Sequence, residues 1–196
     1  MRIIGLTGPA GAGKDEAAKL LKRRGAFIID ADKIAHALYV PQSLIWQELV
    51  RAFGSKILKR GGEINRKKLG EIVFSDKKKL QELNRIVHPY LKQAITERVE
   101  SCQLSVVSCP LLVINAALLK EIGLVEYVDE VWVIMASNET RLRRLVKAGF
   151  SKERARQRMS AQASQKDYLK MADKVIKNDG TLKELAKRVR LALQNV

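Results

Sequence analysis

The sequence predicts a three-layer α/β fold built on a five-stranded parallel sheet. The chain has 196 residues, 46% of them hydrophobic, which suits a single domain with a substantial core. Short apolar runs alternate with longer helical patterns, as expected for strands joined by helical crossovers. The runs lack polar alternation, which is typical of strands buried on both faces of a parallel sheet. The strand candidates are residues 3–6, 27–29, 105–107, 131–134 and 175–176.

Helical patterns connect these strands. They cover residues 15–24, 31–39, 76–101 and 139–148, and a last helix begins at residues 181–184 with the spacing of a capping box. Two segments carry no strand signal. We call residues 40–101 the inserted lobe and residues 138–170, which are dense in Arg and Lys, the lid. The core of the single domain is then formed by residues 1–39, 102–137 and 171–196.

The composition narrows the range of partners. The net charge of +16 favours polyanions, such as nucleic acid or a triphosphate with a phosphorylated acceptor. Aromatic residues make up only 5% of the chain, and no nucleic-acid module is recognisable, so nucleic acid is not the expected partner. The apolar run at residues 3–6 is too short for a signal peptide, and no apolar stretch approaches about 20 residues. We therefore expect a cytoplasmic protein with no membrane partner, in which Cys102 and Cys109 stay reduced.

The sharpest motif is a glycine-rich loop between a predicted strand and a predicted helix, the setting that GxxxxGK[ST] requires. Glycines let the loop curl until its N–H groups surround a phosphate, and the following helix adds its positive end. A lysine in the loop reaches the β- and γ-phosphate oxygens. The motif therefore predicts ATP binding by Gly8, Pro9, Ala10, Gly11, Ala12, Gly13, Lys14, Asp15 and Glu16.

Asp15 stands where this motif normally has Ser or Thr, whose hydroxyl binds Mg²⁺. A carboxylate is also a hard oxygen ligand for Mg²⁺. We expect Asp15 to support the metal, which would in turn neutralise its charge beside the phosphates.

Two acids, Asp30 and Asp32, follow the second predicted strand. This edge of an open α/β sheet carries ligands, and a carboxylate there can orient an acceptor hydroxyl and take its proton. One of the two acids should cap the next helix, and Asp30 is the better candidate. Asp32 is therefore predicted to be the catalytic base, with Lys14 as the second catalytic residue.

The lid supplies the third catalytic candidate. Arg144 and Lys147, or Arg143 and Lys147, lie on one helical face. Lid cations can stabilise the charge that spreads over a phosphoryl group during transfer. Arg144 is the best candidate, because the guanidinium forms a bidentate fork that lysine lacks.

The order of motifs along nearly the whole chain resembles that of the dephospho-CoA kinases, a family of P-loop kinases. The matching segments are residues 8–14, 30–32 with His36, 53–58, 64–70, 72–74, 83–89, 110–112, 158–162 and 172–181. The resemblance implies a P-loop NTPase fold with a helical CoA-binding lobe and a helical lid. It implies that ATP, with Mg²⁺, phosphorylates the ribose 3′-hydroxyl of dephospho-CoA in the last step of coenzyme A synthesis.

The resemblance also implies roles for individual residues. Asp32 is the base by this analogy as well, and Asn178 and Gly180 lie near the adenine of ATP. The residues expected on the acceptor side are Asp32, His36, Arg66, His88, Pro89 and Leu111.

Several positions depart from the family pattern. Besides Asp15, the chain has Ser108 and Ile114 where members often carry acids, and Lys147-Ala148 where an Arg-Asp pair precedes the glycine. The changes at Asp15, Ser108 and Ile114 favour an alternative interpretation of the chain as another P-loop nucleotide or metabolite kinase. The charge of +16 favours a second alternative, a nucleotide-regulated nucleic-acid-binding protein.

Overall fold

A five-stranded parallel sheet lies at the centre of the molecule. The structure is a computed structural model that describes residues 1–104 and 110–194. The sheet has the order β2-β3-β1-β4-β5, and every neighbouring pair is parallel. This confirms the predicted fold class. The strands are β1 (Arg2–Thr7), β2 (Phe27–Asp30), β3 (Leu111–Asn115), β4 (Glu130–Met135) and β5 (Lys174–Lys177).

The third strand differs from the expectation. The predicted strand at residues 105–107 lies outside the described residues, and the strand between β2 and β1 is Leu111–Asn115. Its register pairs Leu111 with Arg2 and Asn115 with Leu6. Residues 110–112 therefore lie at the start of the strand, and Asn115 ends it at the same edge as the glycine-rich loop.

Helices cover both faces of the sheet. Alternate residues of β1 belong to different clusters, with Ile3 in one and Ile4 in the other, because successive side chains of a strand point to opposite faces. The helices are α1 (Lys14–Lys22), α2 (Ala31–Leu38), α3 (Leu44–Phe53), α4 (Arg66–Phe74), α5 (Lys77–Leu104), α6 (Asn138–Lys147), α7 (Lys152–Ser160), α8 (Gln165–Lys170) and α9 (Leu182–Gln194). Short 3-10 turns occur at Ser55–Ile57 and Val125–Tyr127.

The two faces carry different parts of the chain. One cluster joins α1 and α9 to the sheet through Leu21 and Val189. The other joins α2, the inserted lobe and the sheet through residues such as Ile34, Leu49 and Ile95. The inserted lobe thus shares its apolar core with the sheet.

The longest helix contains the His88-Pro89 pair. Helix α5 continues through Pro89, although proline has no backbone N–H to donate to the carbonyl one turn earlier. His88 therefore lies in the middle of a helix and not at a helix end. None of the helices in the described part of the chain has the length and hydropathy that a membrane span needs.

Candidate active site

The carboxyl ends of three neighbouring strands bring the predicted site residues together. The glycine-rich loop follows β1, Asp30 ends β2 and Asn115 ends β3. Because the strands are parallel, these ends lie at one edge of the sheet, where open α/β folds bind ligands.

The loop takes a conformation that requires glycine. Gly13 has φ +94°, and an added Cβ would collide with the side-chain amide of Asn178. That amide donates a hydrogen bond to the Ala12 carbonyl at 2.7 Å, which fixes the end of β5 against the loop. Within the described chain, the N–H groups of Gly11 and Gly13 have no hydrogen-bond acceptor. The loop therefore presents free donors, as a phosphate-binding loop should.

Lys14 is the centre of the polar cluster at this edge. The residue is only 8% exposed, and its Nζ donates to Asn115 Oδ1 at 2.7 Å and to Asp15 Oδ1 at 3.1 Å. Asp32 Oδ2 lies 4.0 Å from the same ammonium. The lysine, the predicted metal ligand and the predicted base thus share one small volume.

Asn115 is a site residue that the sequence reasoning missed. Besides accepting from Lys14, its Nδ2 donates to Asp15 Oδ1 at 3.1 Å, so it orients both side chains. Burial raises the pKa of Asp15, but the Lys14 charge and the Asn115 hydrogen bond outweigh it and leave the pKa below its usual value. Asp15 is therefore ionised at neutral pH. Ile114 and Ser108 are the two departures from the family pattern that were noted near this strand. Ile114 precedes Asn115 in β3 and is buried in the core, and Ser108 lies outside the described residues.

Asp30 and Asp32 have the separate positions that were expected. Asp30 is the N-cap of α2, and its Oδ1 accepts from the Lys33 N–H at 3.0 Å. Asp32 lies in the first turn of that helix, and its side chain is 66% exposed. The capping prediction for Asp30 is confirmed, which leaves Asp32 as the acid available to a ligand.

A cavity of about 270 Å³ opens beside Asp32. We call it the acceptor cavity. The inserted lobe lines it with Phe74, Leu80, Leu83, Asn84, Val87, His88 and Leu91, and the lid lines it with Arg158, Ala161 and Gln162. Most of its lining residues are apolar, and its charged or polar side chains include those of Asp32, His36, Asn84, His88, Arg158 and Gln162.

The two histidines lie on different parts of this region. His88 Nδ1 is 3.1 Å from the Glu121 carbonyl, and because a carbonyl only accepts, Nδ1 carries the proton of the neutral ring. Burial lowers the pKa of His88. His36 joins the acceptor cavity to a second cavity of about 640 Å³ that contains Arg66. Burial and the nearby Arg66 charge lower the pKa of His36.

Two predicted acceptor residues, Leu111 and Pro89, line neither of these two cavities. Leu111 is the first residue of β3 and pairs with Arg2. It therefore lies at the amino ends of the strands, the edge of the sheet opposite the phosphate loop, because Pro110 precedes the strand and does not follow it. Pro89 is exposed on α5, whereas its neighbour His88 faces the cavity.

Two predicted nucleotide-side residues lie at the margin of the site. Glu16 pairs with Lys19 on the surface of α1, with Oε1 and Nζ 2.6 Å apart. Gly180 is exposed beyond the end of β5.

Lid arginines contact the backbone of the phosphate loop. Arg144 donates to the carbonyls of Ala12 at 3.2 Å and Gly11 at 3.4 Å. Arg141, which the sequence reasoning did not single out, is buried and donates from Nε to the Ala10 carbonyl at 2.9 Å. Arg143 and Lys147 are exposed. In this arrangement both contacting arginines support the loop through its carbonyls.

The lid also contacts the inserted lobe and the loop amides. The guanidinium of Arg158 lies over the rings of Phe74 and Phe150, 5.6 and 5.4 Å from their centroids. Gln162 Oε1 accepts a hydrogen bond from the Ala10 N–H at 2.6 Å. Both residues fall in a matched motif segment, but no sequence pattern indicated what they contact.

The donor set suits magnesium in the presence of a nucleotide. No cluster of three His, Cys, Asp or Glu residues that could hold a metal occurs among residues 1–104 and 110–194. Mg²⁺ usually binds one or two carboxylates together with substrate phosphates and water. Asp15, whose Oδ1 lies 3.1 Å from Lys14 Nζ, meets that requirement.

Comparisons with known proteins show to which family the chain belongs. A family model described as dephospho-CoA kinase matches residues 2–184. The chain is 42% identical to the dephospho-CoA kinase of Streptomyces avermitilis over 190 residues, 96% of this chain and 91% of that protein. It is 39% identical to the one from Geobacter sulfurreducens over 190 residues, 96% and 95% of the two chains. A solved dephospho-CoA kinase from Campylobacter jejuni superposes with a TM-score of 0.70 at 28% identity, covering 100% of this chain and 97% of that one. The chain belongs to the dephospho-CoA kinase family.

Proposed function

We propose that this protein transfers the γ-phosphate of ATP to the ribose 3′-hydroxyl of dephospho-CoA, the last step of coenzyme A synthesis. The observation that carries the proposal is the position of Lys14, whose ammonium lies within 4.0 Å of Asp15, Asn115 and Asp32. One cation thus links the phosphate loop to the carboxylate that faces the acceptor cavity. The family membership supports the choice of acceptor, and a cytoplasmic location stays a prediction.

The chain's own residues account for the steps of the transfer. Free loop amides bind the polyphosphate, and Lys14 adds a positive charge at its terminal group. Asp32 orients the acceptor hydroxyl and takes its proton as the new oxygen–phosphorus bond forms, while the bond between the γ-phosphorus and the β,γ-bridging oxygen breaks and ADP leaves. Mg²⁺, with Asp15 as its proposed protein ligand, would neutralise the phosphate charge. Arg144 supports the loop through the carbonyls of Gly11 and Ala12, and its stabilisation of the charge on the transferred group stays a prediction.

The acceptor cavity suits the reacting end of dephospho-CoA. Its apolar wall, formed by residues such as Leu83 and Val87, can pack against an adenosine moiety. The adjoining cavity holds Lys59, Arg66 and Lys67, and these cations favour the diphosphate of the same ligand. His36 lies where the two cavities meet. On the nucleotide side, Asn178 and Gly180 stay predictions for the adenine of ATP.

One observation favours a second candidate function, transfer to another small phosphorylated acceptor. The Ile114 side chain is apolar and buried in the core. It therefore cannot supply the acidic group that family members often have at this position. An acceptor other than dephospho-CoA would then be phosphorylated by the same residues.

The direct test is an assay for the product. The protein is incubated with ATP, Mg²⁺ and dephospho-CoA, and coenzyme A is identified by mass spectrometry, with nucleoside monophosphates as alternative acceptors. We expect 3′-phosphorylation of dephospho-CoA, and Asp32→Asn should slow it about 10²- to 10⁴-fold. Turnover of a nucleoside monophosphate alone would establish the second candidate. Salt-sensitive nucleic-acid binding without turnover would contradict both.

A further inference from the structure

Gln162 is the lid side chain that occupies a donor of the phosphate loop. It lies between α7 and α8 and is half-buried. Its Oε1 accepts from the Ala10 N–H at 2.6 Å, whereas Arg141 and Arg144 contact loop carbonyls. Since phosphate loops bind their ligand through N–H groups, Gln162 occupies a group that is suited to a phosphate oxygen.

The position of Gln162 indicates which phosphate group of a bound nucleotide would compete for the Ala10 N–H. Gln162 lines the acceptor cavity together with Asp32 and Arg158, so its carboxamide lies where the loop faces the acceptor. The Gly11 and Gly13 N–H groups, further along the loop, are free of protein acceptors in the described chain. A polyphosphate bound to those amides would extend its terminal group towards Asp32, past Ala10.

We propose that Gln162 occupies the position of the γ-phosphate in the nucleotide-free protein, and that ATP displaces it from Ala10 whereas ADP does not. This inference rests on the proposed function, because it requires a nucleotide in the loop. A charged phosphate oxygen forms a stronger hydrogen bond than a neutral carboxamide, so the exchange favours ATP. The Gln162 segment of the lid is thereby released from Ala10 by a triphosphate and stays attached when a diphosphate is bound, while Arg141 and Arg144 keep their contacts with the loop carbonyls.

Equilibrium binding of ADP and of the non-hydrolysable β,γ-imido analogue of ATP tests the inference by calorimetry. Gln162→Ala removes the competitor, and we expect the analogue to bind about two- to tenfold more tightly, the range for one neutral hydrogen bond. ADP affinity should not change. Gln162→Glu keeps the acceptor oxygen but adds negative charge beside the incoming phosphate, so it should weaken analogue binding more than ADP binding.

Gln157→Ala is the matched control. Gln157 is exposed on α7, its side chain makes no hydrogen bond in the described chain, and its replacement should alter neither affinity. Should the alanine variant fail to fold, Gln162→Asn, which is one methylene too short to reach Ala10, is expected to give the same tightening.

Two outcomes would overturn the inference. Equal changes for ADP and the analogue would assign Gln162 a structural role, and weaker analogue binding by Gln162→Ala would show that it attracts the γ-phosphate. Failure of the wild-type protein to bind either nucleotide would instead contradict the proposed function. Wild-type binding of both nucleotides without the expected difference between variants would remove this inference alone.

Discussion

The phosphate loop and the acceptor cavity lie side by side but are built differently. The loop is one continuous segment whose backbone is fixed by Asn178, Arg141 and Arg144, and its lysine is buried. The acceptor cavity is assembled from α2, α5 and the lid, and several wall residues are only half-buried. The difference indicates that triphosphate binding is preorganised, whereas acceptor binding depends on how the inserted lobe and the lid meet.

Of the substitutions at Lys14, Arg158 and His88, the one in the loop should have the largest effect. Lys14→Met keeps the length and packing of the side chain but removes the charge that Asp15 and Asp32 share. We expect kcat to fall about 10²- to 10³-fold, as for loss of one transition-state donor. Steady-state kinetics measure the effect. Lys19→Met on the exposed face of α1 is the control, and equal losses in the two variants would contradict a special role for Lys14.

A smaller effect should come from the contact between lid and inserted lobe. Arg158→Ala removes the guanidinium that lies between Phe74 and Phe150. We expect the KM for dephospho-CoA to rise about two- to fivefold, the range for an exposed cation–π contact, while ATP affinity stays unchanged. Arg156→Ala, on the same helix and exposed, should change neither constant. A rise confined to the KM for ATP would show that the acceptor cavity does not depend on this contact.

The smallest effect should come from His88 in the cavity wall. Its pKa is lowered by burial from the usual 6.5, so below that pH the unfolded chain binds a proton more readily than the folded chain. Stability is therefore lost as pH falls from 6.5 towards the lowered pKa. His88→Gln should remove this loss, and the expected difference is below about 1 kcal/mol because the ring is half-exposed.

Thermal unfolding between about pH 7 and about pH 5 measures the His88 effect. His36→Gln is measured alongside His88→Gln, because the pKa of His36 is also lowered, by burial and by the Arg66 charge. A wild-type protein that becomes more stable as the pH falls across this range would contradict the assigned direction.

The same two regions show what the sequence could predict. The loop was predicted because its residues are consecutive and each has a defined backbone or charge requirement. Capping preference alone was enough to predict that Asp30, and not Asp32, caps α2. Asn115 was missed because its role depends on the register of β3 against β1, and the strand itself was expected at residues 105–107. Leu111 was assigned to the acceptor side because the strand was expected before it, at residues 105–107, whereas Leu111 begins β3.

The lid contacts could not be read from sequence spacing. Gln162 and Ala10 are 152 residues apart, and Arg158 reaches Phe74 across the boundary between lid and inserted lobe. Charge and periodicity place such residues on helices, but the crossing of separate segments decides what they touch. The residues themselves therefore predicted the phosphate loop and Asp32, whereas the other acceptor residues and the adenine contacts were predicted only through resemblance.

A crystal structure of the protein with the β,γ-imido analogue of ATP and dephospho-CoA tests the central claim most directly. The account predicts that the loop amides of Gly11 and Gly13 bind the polyphosphate and that the γ-phosphate lies between Lys14 and Asp32. The ribose 3′-hydroxyl should be hydrogen-bonded to Asp32. A polyphosphate bound elsewhere, or an acceptor hydroxyl beyond hydrogen-bond reach of Asp32, would contradict the account.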